Sequence, residues 1–261
     1  MIAVTGCGAG TKLPAGVAAR TGLTGAVEVV GNGPVDTLVA IDRTAIMHGR
    51  RDLALQYKLA AVAALDATIR RGGMLKIVLF GHAGGRPLNI RTEIVPSLDQ
   101  LGDASRMAID SRRRAQVTTD ISVGLGLAPC AKAACLAIRD VTSTDGSDIA
   151  RSLGDQIRSV QEGNSGKKVV VLLTDGESNQ GVVLDGGTLK SASARTAANA
   201  IVHEAAVPSG TSPIALLRIA GIGKTSGRGE LSPQESQRLE AIWTTSCHLL
   251  PTQRCEVSQT P

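Results

Sequence analysis

Acidic or hydroxyl side chains stand where apolar runs end at three places far apart in the chain: Asp42 with Thr44, then Thr119, then Asp175. The first closes the segment Asp36-Thr37-Leu38-Val39-Ala40-Ile41-Asp42-Arg43-Thr44. The last closes Lys168-Val169-Val170-Val171-Leu172-Leu173-Thr174-Asp175-Gly176. Each is a strand-like run opening into an acidic loop. Carboxylate and hydroxyl oxygens are hard ligands, and gathered at one point they suit a divalent cation, magnesium or manganese. The same residue types also have a plain structural use. An Asp at a strand end caps or turns the chain through its own backbone hydrogen bonds, and Asp175-Gly176 is an ordinary turn pair.

For these groups to meet, the apolar runs have to lie side by side. Nearly continuous apolar stretches at 37–41, 75–80, 169–173 and 214–220 read as strands buried on both faces. A weaker strand at 92–98 is expected at a sheet edge. Between the first two strands, residues 51–71 carry Leu55, Leu59, Val62 and Ile69 at helical spacing and stop at Gly72-Gly73, so a crossover helix is expected there. Ser232-Pro233-Gln234-Glu235 has the spacing of a capping box with Pro at the first helical position, opening a helix through Leu239, Ile242 and Trp243. The alternation of strand and helix predicts an α/β fold, doubly wound, with a mostly parallel sheet and helices on both faces. In such a sheet the loops at the carboxyl ends of the strands share one rim. Asp42 and Asp175 belong to that rim, and Thr119, just before an apolar helical stretch, is expected to face it.

At 261 residues and 43% hydrophobic, the chain supports one core, read as a domain over 35–256 behind an N-terminal tail over 1–34. With one Phe, one Tyr and one Trp, that core is filled by Val, Leu, Ile and Ala. The tail is rich in Gly, Ala and Thr, carries the turn signal Gly31-Asn32-Gly33-Pro34, and has room for one short strand at 26–30. The net charge of +5 and pI of about 9.1 permit weak attraction to anionic surfaces. Arg50-Arg51, Arg70-Arg71 and Arg112-Arg113-Arg114 lack the interleaved aromatics of a single-strand binder, so no specific nucleic acid is expected.

Val4-Thr5-Gly6-Cys7 resembles the bacterial lipobox, in which a cysteine is lipidated after cleavage. The basic and apolar regions of a signal are missing before it, which fits an internal start within a longer gene product. The resemblance implies an extracytoplasmic, membrane-anchored lipoprotein with its lipid on Cys7. Cys130, Cys135, Cys247 and Cys255 remain, an even set compatible with two disulfides in an oxidising compartment. Proximity favours Cys130 with Cys135 and Cys247 with Cys255, although three connectivities exist. Four reduced, buried thiols in a cytoplasmic protein is the opposing reading.

Several catalytic signatures fail on inspection. Gly221-Ile222-Gly223-Lys224-Thr225 ends like a phosphate-binding loop, but Arg218 stands where its first glycine belongs. Thr5-Gly6-Cys7-Gly8-Ala9-Gly10 is similar to a dinucleotide fingerprint with Lys12 in place of its last glycine, and the only tyrosine, Tyr57, has Ala61 where a reductase has its lysine. His48, His82, His203 and His248 are scattered without a zinc-protease spacing, and no Gly-x-Ser-x-Gly segment marks a serine hydrolase. No enzyme is expected.

Taken together, Asp42 and Thr44, Thr119 in Val117-Thr118-Thr119-Asp120-Ile121, Asp175 in Thr-Asp-Gly, and Ala220-Gly221-Ile222-Gly223 resemble the von Willebrand factor A domain and its metal-ion-dependent adhesion site. Ile46 stands where that family has a second Ser, and Thr118 where a Gly precedes the Thr. The resemblance covers roughly 35–255. It implies a non-enzymatic domain in which Asp42, Thr44, Thr119 and Asp175 form the shell of a magnesium or manganese ion. The open position of that ion would accept an acidic side chain from a partner protein. The alternatives under the same resemblance are a cytoplasmic subunit of a chelatase- or ATPase-linked assembly, or a metal-independent scaffold with a lapsed site.

Overall fold

The computed structural model describes residues 33–44, 50–81, 88–95, 103–129, 148–191, 193–223 and 231–261. Cys7, the strand expected at 26–30, Ile46, His48, His82, Cys130 and Cys135 lie outside the described residues.

Six strands form a single sheet in the order β3-β2-β1-β4-β5-β6. They are β1 (Val35–Asp42), β2 (Gly73–Phe80), β3 (Leu88–Val95), β4 (Lys167–Leu173), β5 (Leu216–Ala220) and β6 (Cys255–Ser258). β1 pairs in parallel with β2 and β4, β4 with β5 and β5 with β6, whereas β3 runs antiparallel to β2. The expected doubly wound class is therefore corrected to a single mixed sheet. The cause lies in the connection: residues 81–87 are too few for the crossover that a parallel neighbour needs, so the chain turns back on itself. β3 does sit at an edge and starts earlier than the sequence pattern indicates, while residues 96–98 of the expected strand lie outside the described residues.

All residues of β1 are buried, as are those of β4 after its first. Such strands read as unbroken apolar runs because both faces meet other groups. Val39, Ile41, Val171 and Leu173 pack with helix α1 (Arg51–Arg71) and with Val117 and Ile121 of α2 (Asp103–Gly124). Leu38, Ala40, Val170 and Leu172 pack into a second cluster with α3 (Ile149–Val160), α4 (Gly186–Ser191), α5 (Ala194–Ala205) and α6 (Pro233–Leu249). No helix among the described residues is long and apolar enough to cross a membrane.

α1 begins and ends where its pattern places it, and of the expected stripe Val62 is buried and Ile69 packs against the core, but Leu55 turns outward. Leu53, Ala54, Tyr57, Ala60, Ala61, Ala64, Leu65 and Thr68 face inward, while Leu55 is 46% exposed. A run of alanines lets the helix axis approach the sheet closely, and that contact outweighs burial of the larger Leu55 and Leu59. At α6 the capping box forms as read: Ser232 Oγ accepts from the Glu235 N–H and Glu235 Oε2 accepts from the Ser232 N–H. Cys247 in α6 and Cys255 in β6 are joined by a disulfide with Cα atoms 5.9 Å apart.

The end of β1 remote from Asp42 holds a second buried carboxylate. Asp36 accepts from Lys168 Nζ at 2.7 Å and from the N–H groups of Met74 and Ser165, each at 2.8 Å. Burial alone would raise its pKa, but these hydrogen bonds outweigh burial and hold the carboxyl below the usual carboxylate value. A depressed folded-state pKa contributes stability above the unfolded value of about 3.9, and that contribution is lost as pH falls through the folded value. Asp36→Asn should therefore lower stability at neutral pH by about 3 kcal/mol, the cost of leaving one member of a buried pair alone. It should also flatten the acid limb of the profile, read by urea unfolding between about pH 6 and pH 2.

Candidate functional site

In-register pairing of Ile41 with Leu173 sets Asp42 level with Thr174, with Asp175 one residue beyond. From this point in the sheet the chain leads to β2 and β3 on one side and to β5 and β6 on the other. Neighbouring strands lie about 4.8 Å apart, so the two acidic loops rise side by side.

Asp42 is fully buried and held from several directions. Its Oδ1 accepts from the Thr44 N–H at 3.0 Å and the Thr44 hydroxyl at 2.6 Å, while Oδ2 accepts from the Thr174 hydroxyl at 2.8 Å. Thr174 Oγ1 in turn accepts from the Gly176 N–H. Asp175 is 2% exposed, and its Oδ1 accepts from the Glu177 N–H in an Asx-type turn. Its carbonyl accepts from the Gly223 N–H at 2.7 Å, and the indole N–H of buried Trp243 donates to the Gly176 carbonyl at 3.0 Å. The loop bearing Asp175 is thus fastened both to the turn after β5 and to α6.

Two glycines make room for this arrangement. Gly81, after β2, has φ +94°, and a Cβ there would stand 2.6 Å from Asp42 Oδ1. Gly221, after β5, has φ +101°, and a Cβ there would stand 2.8 Å from the Thr174 carbonyl and 2.9 Å from the Tyr57 hydroxyl. Any other residue would be strained at both positions and would press on the groups around the carboxylates.

Tyr57, which the sequence offers only as the tyrosine of a failed reductase motif, sits beneath this rim. It is fully buried, and its hydroxyl has no hydrogen-bond partner among the described residues. Burial raises its pKa well above the ordinary tyrosine value, and the charges of Asp175 and Asp42 raise it further, against a smaller opposing effect of Arg50. It therefore remains a neutral phenol. The one available signal was its isolation: the only tyrosine of the chain stands among alanines and leucines on the helix that follows the first acidic loop.

Thr119 is not brought to the rim. It lies within α2, exposed, and its hydroxyl donates to the Ala115 carbonyl at 2.9 Å. Adjacent Asp120 pairs with Arg91, which is level with Ile77 and so with Val39 in mid-strand. That height is about 10 Å along the sheet from Asp42. The misplacement follows from the course of α2, which climbs from Arg113, paired with Glu93 near the far end of the sheet, to Gly124 against Leu79 beside the rim, so that Thr119 stops more than a turn short of the strand ends. The residues that do converge are Asp42, Thr44, Thr174, Asp175 and Tyr57, an all-oxygen set whose chemistry suits a hard divalent cation.

No protein-family model matches the chain, and no curated protein does. Among solved structures, a D319A mutant of the PilB minor pilin from Streptococcus sanguinis is similar at 14% identity and a TM-score of 0.46, covering 88% of this chain and 58% of that one. The pilus adhesin SpaC from Lactobacillus rhamnosus GG, in its open conformation, is similar at 11% identity and 0.36, covering 87% and 28%. A second form of SpaC gives 13% and 0.37, covering 88% and 30%. The chain thus spans little more than half of the pilin and under a third of the adhesin. At these identities and scores the likenesses assign no function.

The resemblance to the von Willebrand factor A family is corrected by these findings. No family model supports it, and the similar structures are titled a minor pilin and a pilus adhesin. The family's adhesion site is not reproduced either. Thr119 stands apart, and no group of three or more His, Cys, Asp or Glu side chains able to hold a metal occurs among the described residues.

The geometry makes Thr174 the link between the two acidic loops. Thr174→Val should lower stability by about 1–3 kcal/mol, because Asp42 Oδ2 and the Gly176 N–H each lose a partner in a buried setting. Urea unfolding at neutral pH measures this, and a loss within error of zero would show that water replaces the hydroxyl without cost.

Proposed function

We propose that this chain is a non-enzymatic recognition domain that acts outside the cytoplasm. It binds a partner protein at the rim formed by the ends of β1 and β4. There a hard divalent cation, held by Asp42 and Asp175, completes the contact with an acidic side chain of the partner. The observation that carries this reading is the presence of two buried carboxylates, from loops far apart in sequence, at the ends of adjacent strands among hydroxyl oxygens. A divalent ion would balance both carboxylates and retain attraction for a third one offered from outside.

Two further observations support the reading. His203 and His248 are exposed in the last turns of α5 and α6, and among the described residues the rim presents acceptors rather than a nucleophile oriented by a base. The Cys247–Cys255 disulfide suits an oxidising compartment. Attachment through a lipid on Cys7 belongs to the same reading.

Thermal unfolding across a manganese and magnesium titration, with a chelator control, tests the cation. A ligand bound by the native state alone stabilises by RT ln(1 + [L]/Kd), about 1.4 kcal/mol at ten times Kd. A saturable rise is expected in the wild type and should vanish in Asp42→Ala and Asp175→Ala. No rise up to about 10 mM, beyond the usual range of extracellular cation modules, would leave the carboxylates as structural groups.

A further inference from the structure

We infer that the Tyr57 hydroxyl is the third protein oxygen of the rim site, turned toward the bound cation or a water in its shell. This rests on the cation reading above and names a group that completes it. The buried hydroxyl has no hydrogen-bond partner among the described residues, a condition that folded chains rarely keep without a use. Its location is specific. The position that a Cβ on Gly221 would take lies 2.9 Å from the Tyr57 hydroxyl and 2.8 Å from the Thr174 carbonyl. Thr174 is the residue whose own hydroxyl holds Asp42. The phenol is therefore packed against the link between the two acidic loops, and both carboxylates act on it electrostatically.

The chemistry of the donor set makes this oxygen useful. Two carboxylates neutralise a divalent ion, but hard cations take six or more oxygens. With Thr119 on the flank of α2, the hydroxyls at the rim among the described residues are those of Thr44, Thr174 and Tyr57. Thr44 and Thr174 already donate to Asp42, whereas the phenol oxygen has both its proton and its lone pairs uncommitted. Because it stays neutral, it adds an oxygen without adding negative charge. The filled site can then still attract a partner's carboxylate. An empty site leaves the hydroxyl unsatisfied, so the same residue weakens the cation-free fold and strengthens the cation-bound one.

That opposition gives the test. The full chain, Tyr57→Phe and, as a control on the same helix, Leu55→Ala are melted across a manganese titration. Tyr57→Phe is expected to melt higher than wild type without metal, since an unpartnered buried hydroxyl is removed. It should need about tenfold more manganese for half its rise, the loss of one hydrogen bond to a charged shell. Leu55→Ala should keep the wild-type manganese midpoint. An unchanged midpoint in Tyr57→Phe while the wild type responds would overturn the role of Tyr57 and leave the cation reading standing. A wild type that does not respond at all would overturn the cation reading, and with it the role given to Tyr57.

Discussion

Parallel pairing of β1 with β4 is the constraint on which the candidate site depends. Ile41 opposite Leu173 places Asp42 beside Thr174, and a slip of one residue would turn every side chain of one strand to the other face. The two packed clusters forbid that slip, because Val39 and Ile41 belong to one and Leu38 and Ala40 to the other. The apolar contacts that stabilise the sheet therefore also set the separation of the rim carboxylates, with no further device required.

Around this register the chain manages two buried acids on one strand in different ways. Asp36, at one end of β1, is met by an ammonium and two backbone N–H groups, a combination strong enough to depress its pKa despite burial. Asp42, at the other end, receives hydroxyls from Thr44 and Thr174 and lies near a phenol whose pKa is raised by burial and, further, by the charges of both rim acids. The Lys168 ammonium brings a positive charge to Asp36, whereas the Thr44 and Thr174 hydroxyls are neutral donors to Asp42.

The rim is also tied to the far edge of the sheet. The indole N–H of Trp243 holds the Gly176 carbonyl, Gly223 holds that of Asp175, and the Ser258 carbonyl at the end of β6 accepts from Gly221 and Ile222. The Cys247–Cys255 bridge joins α6 to β6, so the helix and the turn that clamp the Asp175 loop share one support. Rigid positioning of this kind lets carboxylates present themselves in a fixed geometry instead of relaxing toward solvent.

Local signals in the sequence determined a good part of this protein. Continuous apolar runs announced β1, β2 and β4, Gly72 closed α1, and Ser232 with Glu235 opened α6, because each depends on residues within a turn or two of one another. The placement of Asp42 and Asp175 at strand ends was legible too, since an acid at the end of an apolar run is itself a local pattern. What crossed between elements was decided only by tertiary structure. The reversal of β3 followed from a connection too short for a crossover, and the inward stripe of α1 from alanines fitting against the sheet. Thr119 was left on the flank because α2 climbs past it to Gly124 before reaching the rim, while Tyr57 was brought under the rim by helix packing that no spacing along the chain encodes. Hydrogen bonding and apolar periodicity act over a few residues and leave a mark in sequence. The company each side chain keeps depends on the register and approach of elements remote in the chain, which the packed core alone sets.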